Sequence, residues 1–400
     1  MFRATPPLSL FGAGRGITRL LTQGKRLFWI FPTVLCLLLS GCSGSTNFSG
    51  STPALPSGQT GSVVPLGAAP GDCYVSATSS CSSTTGPKGT AKITALATVA
   101  YSSSNALFVG DANGNISYMT VPATSAPPTT ISSCITGSGS PVLSLALIPG
   151  STTPGTLLYA SSAGVTFETA GTTSCTTLSG SSGISIPSVL TYNSSATQIV
   201  GVTTAGASFT CSSTPSCTSP VKLPNFQGAT VHVTAIASDP QYPVVYVTTS
   251  TNGSYAVNIY LVSGSTLSFL GSYSGGELSA PAAIAVFHGP NPAQNYCTNT
   301  TGGCNFLDVA NAGDNALTQY VLTYTLSGNV PTGVSLNQYN GAYLGCEFFD
   351  PGALAAIANP AVGAPAVFLG ENGTSLGPCL GVGSGTSFGN NVTAYTVMGE

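Results

Sequence analysis

The chain has 400 residues, of which only 5% are Asp, Glu, Lys or Arg, where about a quarter is usual. Beyond Arg26 there is no arginine, and only Lys88, Lys92 and Lys222 stand against eleven acids. That balance argues against nucleic acid, whose binding needs several phosphate contacts from cations, and against phosphorylated ligands or an anionic lipid surface as partners.

Residues 1–26 carry Arg3, Arg15, Arg19, Lys25 and Arg26 and no acid, and the apolar run 27–39 follows. Such a run is too short to span a bilayer. A basic region, a short apolar stretch and then small residues form the pattern of an export signal. The stretch ends Leu39-Ser40-Gly41-Cys42, which resembles the lipobox of bacterial lipoprotein precursors. The resemblance implies a signal peptide over residues 1–41, cleavage before Cys42, and acyl chains, palmitate among them, on Cys42. Ser43, where an inner-membrane lipoprotein would carry Asp, associates the chain with the outer membrane, facing periplasm or exterior. Each buried methylene contributes ~0.8 kcal/mol, so several acyl chains anchor the protein without any spanning segment.

Residues 42–70 hold the lipidated cysteine and a Ser, Gly, Thr and Pro segment with no charge. It cannot bury a core and reads as a flexible tether. Residues 71–400 are read as one domain. Hydroxyls and amides take the place of charges on its surface, and few carboxylates can be paired, so the fold is expected to tolerate acid. An acidic medium and a Ser/Thr-rich lineage at neutral pH fit that composition equally.

Twelve cysteines, less Cys36 in the signal and Cys42 at the anchor, leave ten, an even number that suits disulfides in an oxidising compartment. Cys73 with Cys81, Cys211 with Cys217 and Cys297 with Cys304 are close in sequence and read as loop staples. The remaining Cys134, Cys175, Cys346 and Cys379 allow three pairings, of which Cys134 with Cys175 and Cys346 with Cys379 is the one taken. The spacings do not match the short Cys-to-Cys intervals of zinc sites, and only His232 and His288 could assist a metal. No metal and no cofactor are expected.

A repeat runs through the domain: a β-rich run, a Gly/Asn turn, and a second run with an aromatic residue. Aligned on the first run, Phe108, Tyr159, Gly201, Tyr246, Asp308 and Phe368 lie 51, 42, 45, 62 and 60 residues apart. The second runs supply Tyr118, Phe167, Phe209, Tyr260, Tyr320 and Tyr395, which read as core between repeats. Third apolar segments precede most first runs, as at 142–148, 233–237 and 282–287. Short strands recurring at this interval cannot cover their own faces and must pack on their neighbours, which is the requirement of a β-propeller. The expected fold is all-β, a propeller of six blades or seven. The 49 glycines and 28 prolines and the absence of a long 3.6-residue apolar period oppose a helical alternative. The weakest segment is 337–352, and the run 392–398 needs a strand from near Tyr74 to complete its blade.

The stretch from Asp308 through Asn311, Gly313 and Asn315 to Tyr320, and more loosely Tyr246 to Gly253, resembles the repeats of YVTN-type, lactonase-like propellers. Asp308 stands where those repeats carry tyrosine. The resemblance implies lactone hydrolysis or muconate lactonisation in some members, with arginine and histidine as working groups. The mature chain has no arginine, so no catalytic position transfers. The sequence Gly385-Thr386-Ser387-Phe388-Gly389 matches the serine-hydrolase elbow, but a chain this rich in Gly and Ser yields about one such match by chance. No catalytic residue is assigned.

Asp111, Asp314 and Glu371 each occupy the turn after the first run of their repeat. In a propeller those turns share one face at the channel mouth, where carboxylates could take Ca²⁺ or a cationic ligand; the competing reading is that they cap turns. His232 and His288 read as structural. Together these features point to a membrane-anchored binding or scaffold module for another envelope protein or a surface polymer, with lactonase-like hydrolysis, or a structural envelope protein or adhesin, as the alternatives.

Overall fold

The structure, a computed structural model, describes residues 73–76, 91–121, 132–137, 139–171, 174–289, 302–344, 350–360, 365–372 and 391–396. The expected signal, Cys42, the tether, Cys81, Cys297, Cys346, Cys379 and residues 385–389 lie outside them.

Among the described residues the chain forms 24 strands in six four-stranded antiparallel sheets. Strand β1 (Cys73–Ser76) stands apart at the start. Blade 1 is β2 (Ile93–Tyr101), β3 (Ser104–Asp111), β4 (Ile116–Val121) and β5 (Ser132–Ile135); blade 2 is β6 (Ser144–Pro149), β7 (Gly155–Ser161), β8 (Gly164–Ala170) and β9 (Cys175–Thr177). Blade 3 is β10 (Ser188–Asn193), β11 (Gln198–Thr203), β12 (Ala207–Cys211) and β13 (Val221–Lys222); blade 4 is β14 (His232–Ser238), β15 (Val244–Thr251), β16 (Ser254–Ser263) and β17 (Thr266–Tyr273). Blade 5 is β18 (Pro281–Gly289), β19 (Cys304–Asn311), β20 (Ala316–Ser327) and β21 (Val330–Leu344). The last sheet takes β22 (Pro351–Ala356), β23 (Pro365–Glu371) and β24 (Asn391–Thr396), and adds β1 beside β24. Its outer strand therefore comes from the other end of the domain, as the lone 392–398 run required.

Local chemistry sets the hairpins. Between β15 and β16 the two-residue turn puts Asn252 at φ 50° and Gly253 at φ 80°, the left-handed pair of a type I′ turn, which Asn-Gly adopts at little cost. The middle strands are mostly apolar on both faces because each sheet is covered on both sides. Six hydrophobic clusters result, one per seam between neighbouring blades. The aromatic residues Tyr118, Phe167, Phe209, Tyr260 and Tyr320 are all at most 3% exposed and lie in those seams, so they are core between blades. The side chain of Tyr395 lies outside the description.

One part of the repeat alignment needs correction. Phe108, Tyr246 and Phe368 face the following blade, but Tyr159 and Gly201 face the preceding one, and Leu158 and Val200 are the true equivalents. Strands buried on both faces carry no polar alternation, so sequence alone does not pin their register. Gly201 lies under the ring of Phe209 on the paired strand, where any side chain would collide.

Beside its apolar cluster, the seam between the last blade and the first also carries polar contacts. The Asn372 side chain accepts from the Ile93 N–H at 2.6 Å and donates to the Ile93 carbonyl at 2.8 Å. Lys92 pairs with Asp350 at 2.9 Å, an exposed ion pair of small worth. Two disulfides have both cysteines among the described residues, Cys134–Cys175 between the outer strands of blades 1 and 2, and Cys211–Cys217. Cys304 is also disulfide-bonded.

Candidate functional site

The first strand of every blade lines the axis of the disc. At equivalent places these strands carry Leu96, Leu145, Leu190, Ile236, Ile284 and Leu354, and the same six residues line two separate cavities on the axis. They form an aliphatic ring across the channel, each between 3% and 8% exposed. One cavity, about 60 Å³, lies toward the N-terminal ends of the first strands, with Thr94, Leu143, Ser144, Thr234, Ala282 and Gly352 in its wall. The other, about 370 Å³, lies toward their C-terminal ends and the turns that follow, with Asn105, Tyr192, Ser194, Asp239 and Asn359 among its lining residues. A volume of that size, apolar with a few polar groups, falls in the range of small-ligand sites.

The ring was legible in the sequence and was missed. Five of the six first strands place a Leu or Ile between Ala or Ser residues, as in Ala95-Leu96-Ala97, Ala235-Ile236-Ala237, Ala283-Ile284-Ala285 and Ala353-Leu354-Ala355, and in blade 3 Leu190 lies between Val189 and Thr191. Small neighbours let most of the first strands crowd the axis, and the large residue fills it. Leu354→Ala should connect the two cavities and cost about 2–3 kcal/mol, the low end for a buried leucine because the site already borders open space. Urea unfolding at constant pH measures it; a change under ~0.5 kcal/mol would mean that the ring carries no packing load.

Asp239 is the ionisable group deepest in the wide cavity's wall. It is fully buried, in the turn between β14 and β15. Oδ1 accepts from the backbone N–H of Gln241 and Tyr242 at 2.9 Å each and from Asn305 Nδ2 at 3.0 Å. Oδ2 accepts from Tyr246 Oη at 3.0 Å and from Tyr324 Oη. Five donors on one carboxylate tie blade 4 to blade 5. Burial pushes the Asp239 carboxyl above its ordinary range, and the hydrogen bonds oppose that rise. Asn305 continues the network, bonding His288 Nδ1 through Oδ1 at 2.8 Å, while the His288 N–H donates to the Ala358 carbonyl of the last blade. His288 is thus held structurally, and His232 is exposed on β14.

Asp111 and Glu371 end second strands and Asp314 follows one, not all three in the turn beyond; second strands run antiparallel to the first, so the three lie on the face of the narrow cavity. The wide cavity opens on the opposite face. Asp111 accepts from the N–H groups of Asn113 and Asn115 at 2.9 and 2.8 Å and from Asn115 Nδ2 at 2.8 Å, which is turn capping. Asp314 accepts from the N–H of Ala316 in its own turn, and Glu371 is 2% exposed at the end of β23. Among the described residues no three His, Cys, Asp or Glu side chains come together. The three acids belong to three different blades.

No known protein family matches the chain, and no curated protein matches it. Among solved structures it is similar to a chain of the mitotic checkpoint complex, with 13% identity and a TM-score of 0.43 over 74% of each chain. It is also similar to the Myceliophteria thermophila Cps50 (Swd1) β-propeller domain, with 11% identity and a TM-score of 0.42 over 76% of this chain and 83% of that one. A third similar structure is YCF48 bound to D1 peptide, with 12% identity and a TM-score of 0.37 over 70% and 75%.

Proposed function

We propose that the chain is an exported lipoprotein, cleaved before Cys42 and anchored there, whose six-bladed disc binds a neutral partner from the cell envelope, a protein or a surface polymer. The lipobox-like Leu39-Ser40-Gly41-Cys42 and the uncharged tether support the anchor. The disulfides Cys134–Cys175 and Cys211–Cys217 support an oxidising compartment. The observation that favours binding over catalysis is the saturation of Asp239: a carboxylate already holding five donors has no free lone pair for general-base work on a substrate. The wide-mouth face therefore offers shape, apolar surface and neutral hydrogen-bonding groups.

Affinity capture from detergent-solubilised membranes tests the reading. The wild-type chain should retain a partner, and Asn359→Arg, a charge at the exposed rim of the wide cavity, should lose it without loss of folding. Cys42→Ala should move the protein from the membrane to the soluble fraction. Equal capture by the rim variant would remove the wide-mouth face from the proposal, and a Cys42→Ala protein still in the membrane would remove the lipid anchor.

A further inference from the structure

The apolar cluster between blade 5 and the last blade contains a buried polar pair. The second-strand residue turned toward the following blade at this level is Phe108, Leu158, Val200, Tyr246 or Phe368 elsewhere, but in blade 5 it is Asp308, paired across the ladder with Gln319. Asp308 is 0% and Gln319 1% exposed. Strand alternation places Asp308 between Phe306 and Ala310, and Gln319 between Leu317 and Val321, all four in the cluster shared with Val367 and Leu369 of the last blade.

Hydrogen-bond accounting exposes a missing hydrogen. Gln319 Nε2 donates to Asp308 Oδ1 at 3.0 Å. Asp308 Oδ2 and Gln319 Oε1 are buried and receive no donor. Flipping the amide only exchanges which oxygens face each other, because an ionised carboxylate has no hydrogen to give. A single proton on Oδ2 supplies a donor for Oε1 and satisfies both atoms, and it removes an unpaired charge from an apolar seam.

We propose that Asp308 and Gln319 form a buried proton-binding site, in which neutral Asp308 donates its Oδ2 hydrogen to Gln319 Oε1 and loss of that proton loosens the seam between blade 5 and the last blade. The seam faces of β18, β20 and β22 present Ala283, Ala285, Phe287, Leu317, Val321 and Leu354, none of which ionises. On β23, Val367 and Leu369 are followed on the same face by Glu371, its one ionisable residue there. Burial pushes the Asp308 carboxyl from 3.8 up to about 7. A carboxyl raised by folding contributes stability that is complete below its ordinary value and lost as pH rises through the folded one.

Carboxyl ¹³C NMR of the full chain, titrated from acid to mild alkali, is the direct test, with equilibrium unfolding of wild type and Asp308→Asn alongside. Asp308 should titrate near 7, and its share of the folding constant should fall about tenfold per pH unit over the window between its ordinary and folded values. Asp308→Asn should lose that one-proton slope. A titration near 3.8, or an unchanged slope in Asp308→Asn, overturns the proposal. If the variant does not fold, the wild-type titration decides alone. Stabilisation of the wild type by NaCl or CaCl₂ above neutral pH, absent in Asp308→Asn, would mean that the two oxygens hold a metal cation and would also overturn it.

Discussion

Asp239→Ala is expected to cost about 3–5 kcal/mol of folding stability, measured as a lower denaturant midpoint at unchanged pH. The change deletes the acceptor that the hydroxyls of Tyr246 and Tyr324, the Asn305 amide and the backbone N–H groups of Gln241 and Tyr242 share, five hydrogen bonds at once. Five bonds to one buried carboxylate are lost together, which is why the loss exceeds the modest net worth of any one bond. Tyr246→Phe removes a single donor and should cost only about 1 kcal/mol, because four donors still hold the carboxylate. Equal costs for the two variants would show that Asp239 acts as one tyrosine's partner and not as the staple between blades 4 and 5.

Removing the Cys134–Cys175 disulfide by a double serine substitution should cost about 4 kcal/mol by the chain-entropy relation for a loop of its length. The bond spans 41 residues and joins β5 to β9, outer strands of four and three residues on successive blades. Cys211–Cys217 spans only 6 residues, and by the same relation its removal should cost about 2 kcal/mol. Unfolding of both double variants under oxidising conditions tests the ranking. A smaller loss for Cys134–Cys175 than for Cys211–Cys217 would mean that the outer strands of blades 1 and 2 are held by something other than the bond.

Much of the fold was legible because propeller blades repeat. The interval of the β-rich runs, the aromatic residues between repeats and the need of 392–398 for a strand near Tyr74 all found counterparts in the structure, the last as β1 beside β24. The Cys134–Cys175 pairing was one of three open to four cysteines, and only the juxtaposition of blades 1 and 2 selects it. The one-residue slip at Tyr159 and Gly201 had a physical origin: β7 and β11 are covered on both sides and carry apolar residues toward both neighbours here, so the face each presents leaves no mark in its chemistry.

The candidate site shows the same division. Composition by itself determined that the chain has almost no cations to offer a partner, and the repeat interval by itself determined stacked strand units around an axis. Asp308 stood out because an acid replaced an aromatic residue at a repeat position. The tertiary structure alone decided that Asp111, Asp314 and Glu371 lie away from the wide cavity, that Asp239 joins two blades, and that six aliphatic residues up to 258 positions apart, from Leu96 to Leu354, meet on one axis. Sequence records each strand's own pattern, whereas a ring or a carboxylate's donors depend on which strands face one another, and that is fixed only when the last blade closes on the first.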